Sequence, residues 1–242
     1  MDLIKVEGLS FSYPSRKHTL TDINFNVEQG TFTCIVGENG SGKSTLLKCI
    51  LGLNKGYSGK IIKEKKIGYL PQKTEIQSNF PASIEEVVMS GTISRHIKSI
   101  FYKKDDKQKA NEIMAELGIY QIRKKSFAEL SGGQQQRVLI ARAMCATEKI
   151  IILDEPTNGL DPSIALQIYK MLDELKRKNN LTILIVSHDI DRALKFADKV
   201  IEIENGKVKF NGNTIDYIKA GGIKWFKQLV KWCHMPLYKE QY

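Results

Sequence analysis

The stretch from Gly37 to Thr45 reads GENGSGKST and fits the pattern GxxxxGK[ST], and it constrains the fold more than any other part of the chain. The apolar run Thr31 to Val36 precedes it, and Leu46, Leu47, Ile50 and Leu51 follow at helical spacing, so the segment joins a strand to a helix. Glycines let the backbone curl until successive N–H groups face inward, and the positive end of the following helix adds to that field. Gly37, Glu38, Asn39, Gly40, Ser41, Gly42, Lys43, Ser44 and Thr45 therefore form a candidate phosphate cradle. Lys43 supplies a mobile charge for the β- and γ-phosphates of a nucleotide, and Ser44 is placed to ligate Mg2+. A glycine-rich turn with a chance lysine is the plain alternative, and the strand-to-helix setting argues against it.

The rest of the chain supplies the sheet that such a loop needs. Up to Val36, alternation of polar and apolar residues (Ile4, Val6, Leu9, Phe11; then Ile23, Phe25, Val27) predicts short half-exposed strands with a turn near Pro14 to Arg16. From about Ile84 to Ala146 the spacing is helical. Lys149 to Asp154 and Thr182 to Ser187 then read as buried strands, with a helix between them opening at Asp161 and Pro162 and burying Ile164, Ile168, Met171, Leu172 and Leu175. Asn205 and Gly206 predict a type I′ hairpin across Lys199 to Phe210. The fold class is α/β: a mainly parallel sheet with right-handed crossovers, an N-terminal antiparallel β subdomain and an inserted helical lobe at about 84–146. Ligands then bind beyond the carboxyl ends of the strands.

Composition excludes several other classes. With 242 residues, 42% of them apolar and spread without low-complexity tracts, the chain can bury one compact core. No apolar run approaches the roughly 18 to 20 residues of a spanning helix, and the amino terminus lacks signal-peptide character, so a cytosolic location is expected. Cys34, Cys49, Cys145 and Cys233 are far apart, as are the four histidines, which argues for reduced thiols and against structural zinc. The net charge of +10 suits nucleic acid or an acidic membrane face, and equally a plain solvated surface.

Two further segments carry chemistry. Ile151, Ile152 and Leu153 form an apolar strand that delivers Asp154 and Glu155 to its end, where Asp154 would hold the Mg2+ shell and Glu155 would orient or deprotonate an attacking water. Alone, an acidic pair after a strand is a solvated loop; beside a phosphate loop the catalytic reading is favoured. Leu130 to Gln134 reads LSGGQ and leads into an apolar helix, a second anion cradle although a nucleotide has only one triphosphate.

That pentapeptide, joined to the phosphate loop and the carboxylate strand, resembles the ABC ATPase family from Tyr13 to about Gly212. The resemblance implies a P-loop NTPase core that hydrolyses ATP with Mg2+ and works as a pair. Ser131, Gly132, Gly133 and Gln134 of one copy would close over the nucleotide held by Lys43 of the other. It also implies roles for Tyr13 in stacking on adenine, Gln72 in sensing the γ-phosphate through the metal shell, Asp161 in contact across the dimer, and His188 as a switch on the γ-phosphate. Taken without the family, Tyr13 reads as packing and His188 as a structural histidine.

The stretch Asn79 to Gly91 after Gln72 is similar to ATPases of divalent metal uptake, zinc before manganese or iron. The resemblance implies separate membrane permease subunits, a location on the cytoplasmic face of the membrane, and an extracellular metal-binding receptor acting indirectly. Gln72 would act as a hinge that shifts the segment beginning near Phe80 and so moves a permease helix docked there, with Phe80 and Val87 expected to couple the two. A soluble ABC ATPase acting on nucleic acid is the alternative, which the length disfavours; an exporter subunit is a third. The ATPase domain is expected over 1–218. The remaining 219–242 form a basic aromatic tail in which Ile223, Phe226, Leu229, Val230 and Cys233 share a helical face, suited to packing on the core or to a membrane surface.

Overall fold

The computed structural model describes residues 1–14, 16–72, 81–95 and 102–222. The tail stripe beyond 222, Asn79 and Phe80 lie outside the described residues. In chain order the elements are β1 (Asp2–Tyr13), β2 (Arg16–Glu28), β3 (Phe32–Val36), α1 (Lys43–Leu51), β4 (Ser58–Lys63), β5 (Gly68–Leu70), α2 (Ile84–Met89), α3 (Lys104–Glu116), α4 (Gly132–Cys145), β6 (Ile150–Asp154), α5 (Pro162–Asn179), β7 (Thr182–Val186), α6 (Ile190–Ala193), β8 (Lys199–Glu204), β9 (Lys207–Asn213) and α7 (Thr214–Lys219).

A six-stranded sheet has the order β5-β6-β7-β3-β8-β9, parallel except for β9. Its central strands alternate between two cores. Ile150, Ile152, Leu184, Val186 and Ile35 point toward α1 and the N-terminal strands. Ile151, Leu153, Ile183, Ile185 and Cys34 point toward α4 and α5. Covering both faces is what lets β3, β6 and β7 be apolar throughout. It also leaves only the strand ends for polar chemistry.

The second sheet, β2-β1-β4, is antiparallel. Its first two strands are 12 and 13 residues long, where short strands were expected from the sequence. Four register shifts between β1 and β2 account for the difference. Such bulges let a long strand coil without losing its pairing, and they blur the period-two pattern from which length is read.

Between β5 and β6 the described chain is helical, with short 3-10 turns at Ser90–Arg95, Tyr120–Ile122 and Phe127–Glu129. Helix α2 starts with a capping box, Ser83 and Glu86 each satisfying the other's backbone N–H. Val87, expected on a docking surface, is instead 5% exposed and packed in the core shared with α4. Helix α5 has Asp161 at its N-cap and Pro162 inside it, yet the Asp161 side chain makes no cap hydrogen bond. Its buried face includes Ala165 and Tyr169 beside Ile168, Leu172 and Leu175, whereas Ile164 and Met171 are half-buried. The β8–β9 hairpin turns on Asn205 (φ 49°) and Gly206 (φ 74°), the two positive angles that a type I′ turn needs, and continues to Asn213. No helix among the described residues is long and apolar enough to cross a membrane.

Leu184, fully buried in β7, is expected to contribute roughly 2–5 kcal/mol by the measure of Leu184→Ala in urea denaturation. Ile62→Ala on β4, where the side chain is 47% exposed, should stay within about 0.5 kcal/mol of the parent.

Candidate nucleotide site

Strand β3 ends at Val36, and the chain turns at Gly37 (φ 146°), where a Cβ would run into the carbonyl oxygen of Ile203. At Gly42 (φ 111°) a Cβ would lie 2.7 Å from Leu20 Cδ2. The loop is thus pressed against β8 and β2, and glycine is required at both points by angle and by space. Glu38, Asn39 and Gly40 form its exposed tip, while Ser41, Gly42 and Lys43 are buried and Ser44 and Thr45 half-buried. Leu46 N donates to Gly42 O at 2.8 Å, which starts α1 directly behind the loop.

The Lys43 ammonium folds back into this loop and donates to Gly37 O (2.8 Å) and Glu38 O (2.7 Å). Burial lowers its proton affinity, partly offset by the carboxylates of Glu155 and Asp154. Ser41 Oγ is buried with no hydrogen-bond partner among the described residues. An orphaned hydroxyl and a lysine held only by carbonyls are donors in a cradle shaped for an anion.

Strand alternation places Asp154 on the same face as Ile150 and Ile152, the face covered by α1. Its Oδ1 consequently lies 3.5 Å from Ser44 Oγ. Burial raises the Asp154 carboxyl above its ordinary value, against the opposing pull of Ser44, Lys48 and Lys43. One residue on, Glu155 has φ 53°, an uncommon angle for a side chain with a Cβ, and its N–H is held by Val186 O at 2.9 Å. The twist turns the Glu155 carboxylate out of the sheet. There it receives Gln72 Nε2 at 2.7 Å and Asn158 Nδ2 at 3.2 Å, and His188 Nε2 meets its other oxygen.

The structure therefore gathers Lys43, Ser44, Gln72, Asp154, Glu155 and His188 at one end of the parallel sheet, supplied by β3, β5, β6 and β7. Tyr13 is half-buried at the end of β1, its hydroxyl accepting from Asn54 Nδ2 at 3.0 Å and its ring edge-on to Phe11. The LSGGQ segment stands apart. Ser131 and Gln134 form a capping box at the start of α4, and Gly132 and Gly133 lie against Leu160 and Ile164. Ser131, Gly133 and Gln134 border a groove of about 300 Å3 together with Arg137 and Gln167. Among the described residues no hydrogen bond joins Ser131 to Gln134 with the Gly37 to Thr45 loop. Asp161 is exposed at the start of α5.

Sequence reasoning missed Asn158 as a partner of Glu155. The only available signal was a polar residue in the turn just after the carboxylate pair. It also missed Tyr169, which reads as one more apolar face residue between Ile168 and Leu172.

Comparison with known proteins agrees with this architecture. The ABC transporter family matches residues 20–158. A zinc uptake system ATP-binding protein of Listeria innocua, ZurA, is 39% identical over 89% of this chain and 87% of its own length. A manganese transport system ATP-binding protein of Bacillus subtilis, MntB, is 35% identical over 86% of this chain and 85% of its own. Among solved structures, a dimeric ATP-binding cassette in a post-hydrolysis state bound to ADP and Pi superposes with a TM-score of 0.71 at 27% identity, covering 87% of this chain and 98% of that one. The chain belongs to the ABC transporter family. Within that family it is an ABC ATPase, a nucleotide-binding protein that hydrolyses ATP.

The raised Asp154 carboxyl has a consequence for the nucleotide-free protein. Its folded form holds a proton more tightly than the unfolded chain does, so that stabilisation is complete below the unfolded carboxylate range and is lost as pH rises through the folded value. Asp154→Asn should therefore melt higher than the parent at neutral pH without nucleotide or metal, with the gap narrowing as pH falls into the acid range. Differential scanning fluorimetry across pH reads it; an unchanged or lower melting point at neutral pH would contradict the assignment.

Proposed function

We propose that this chain is the ATP-hydrolysing subunit of an importer, peripheral on the cytoplasmic face of the membrane, that drives a divalent metal ion through separate permease subunits. The observation that carries the reading is the convergence of Lys43, Ser44, Gln72, Asp154, Glu155 and His188 at one sheet end, while the LSGGQ cradle is held elsewhere in the same chain. One nucleotide then needs two copies arranged head to tail with two-fold symmetry. Lys43 and the inward N–H groups of one copy bind the phosphates, and Ser131, Gly132, Gly133 and Gln134 of the other cover them. Asp161 contacts the partner copy, and Tyr13 stacks on the base.

Ser44, Asp154 and Gln72 present a hydroxyl, a carboxylate and an amide oxygen, the hard donors that suit Mg2+. When bound, Mg2+ neutralises charge on the β- and γ-phosphates. Glu155 orients the attacking water and accepts its proton, and His188, beside it, reaches toward the γ-phosphate. Gln72 is bonded to Glu155 here and would exchange that bond for the metal shell once ATP enters. We assign 1–218 to the ATPase domain, with the helical lobe at about 84–146 moving the permease, and 219–242 to a separate tail.

Zinc is the proposed cargo, on the resemblance of the stretch Asn79 to Gly91 and the 39% identity to ZurA; identity alone does not rank the metals, since the zinc-uptake protein ZnuC of Bacillus subtilis is 31% identical and MntB 35%. The metal is recognised by the permease and an extracellular receptor, and nothing in this chain needs to bind it. Reconstitution with the cognate permease and receptor should give ATP-dependent zinc uptake; preferential uptake of manganese would reassign the cargo.

Glu155→Gln should bind Mg-ATP, block hydrolysis and shift the chain to a dimer on a sizing column, because the neutral amide can hold the water but cannot take its proton. Hydrolysis at the parent rate would remove Glu155 from the mechanism. Lys43→Ala should lose at least about tenfold in ATP affinity by calorimetry, in line with roughly 1.5–3 kcal/mol for a charge-assisted bond. Affinity within threefold of the parent would mean that the loop is not the main phosphate site.

A further inference from the structure

The carboxylate of Glu155 and the imidazole of His188 sit on two separate turns, each beyond the last rung of its strand. The β6–β7 ladder ends at the pair Asp154 and Val186, and Glu155 N–H to Val186 O is the final backbone bond between them. Past that point nothing in the sheet sets the distance between the two turns. A side chain from a third element does reach the His188 turn. Tyr169, fully buried in α5, has its hydroxyl 2.7 Å from Ser187 Oγ. Ser187 immediately precedes His188, whose Nε2 meets the Glu155 carboxylate.

The contacts are directional. Ser187 Oγ also accepts the N–H of Asp189 at 3.0 Å, so the hydroxyl pinned by Tyr169 braces the turn on both sides of His188. The Tyr169 ring is fixed in turn by parallel stacking on Phe196, with ring centroids 5.9 Å apart. Burial keeps the phenol protonated, pushing its pKa up to about 12. A buried hydroxyl is costly without a partner, and here it finds one on the turn that carries His188.

We propose that Tyr169 is a positioning residue for ATP hydrolysis, its hydroxyl holding the His188 turn through Ser187 so that the imidazole keeps its place against the Glu155 carboxylate through the cycle. The inference rests on the roles given above to Glu155 and His188. Because Tyr169 sits in α5, whose N-cap is Asp161, closure of the dimer on Asp161 reaches the His188 turn through a single helix.

Tyr169→Phe keeps the ring and its volume and removes only the hydroxyl. Steady-state phosphate release by the full chain with Mg-ATP should show kcat lowered about 5- to 30-fold, the effect of roughly one lost hydrogen bond on a transition state, with KM for ATP within about twofold. Ser187→Ala tests the same bond from its other end and should give a similar loss, and Ser187→Thr should restore the rate. In a His188→Ala background, Tyr169→Phe should add less than about twofold, since its effect runs through that residue. A kcat within about 1.5-fold of the parent in both Tyr169→Phe and Ser187→Ala would overturn the proposal. So would losses that multiply in the His188→Ala background, which mark a general effect on the fold. If His188→Ala itself hydrolyses at the parent rate, the reading of His188 fails first and the proposal falls with it.

Discussion

Both faces of the parallel sheet in this chain are covered, one by α1 and the N-terminal strands, the other by α4 and α5, and the rest of the molecule follows from that constraint. Strands buried on two sides must be apolar along their length, as β3, β6 and β7 are. Charged groups are tolerated only where the strands stop. Three strands end within reach of one another in the order β6-β7-β3, and a phosphate loop, a carboxylate pair and a histidine are delivered there without any long connection having to be ordered. Alternation then divides the labour. Asp154 faces α1 and meets Ser44, while the positive φ of Glu155 turns its carboxylate the other way, toward Gln72, Asn158 and His188.

Glu155 is the hub of that arrangement. Its carboxylate is bonded to Gln72, Asn158 and His188. The lysine of the loop is held on backbone carbonyls. In the proposed cycle, nucleotide would offer both groups stronger partners, so that binding energy would be coupled to the position of Gln72. Differential contact with the γ-phosphate, present with ATP and lost after hydrolysis, is the physical basis on which a motor of this kind can push on a partner that never touches nucleotide.

Much of this was legible in the sequence, for identifiable reasons. The phosphate loop, the Asp154 and Glu155 pair and the type I′ turn at Asn205 and Gly206 are local: their chemistry and their geometry are encoded within a few residues. The α/β alternation was readable because buried strands and amphipathic helices differ in period. What was not legible is non-local. The length of β1 and β2 was hidden by bulges, the burial of Val87 depends on α4 some fifty residues away, and the pairing of Tyr169 with Ser187 arises only when α5 packs against the sheet. An N-cap position was correctly read at Asp161, yet the side chain makes no cap bond, because local signals fix the backbone of a cap more surely than its hydrogen bond.

The central claim is that one active site is assembled from two chains, and complementation between two inactive variants tests it most directly. Lys43→Ala removes the phosphate-binding side of every site, and Ser131→Arg fills the cradle that covers it. Each variant alone should hydrolyse little ATP. Mixed in equal amounts, they form heterodimers in which one of the two sites unites an intact Lys43 from one chain with an intact Ser131 from the other, and phosphate release should rise well above the sum of the separate rates. A mixture whose rate equals that sum, under conditions where the chains are seen to exchange partners, would contradict the two-chain site and require both elements to act on nucleotide within one copy.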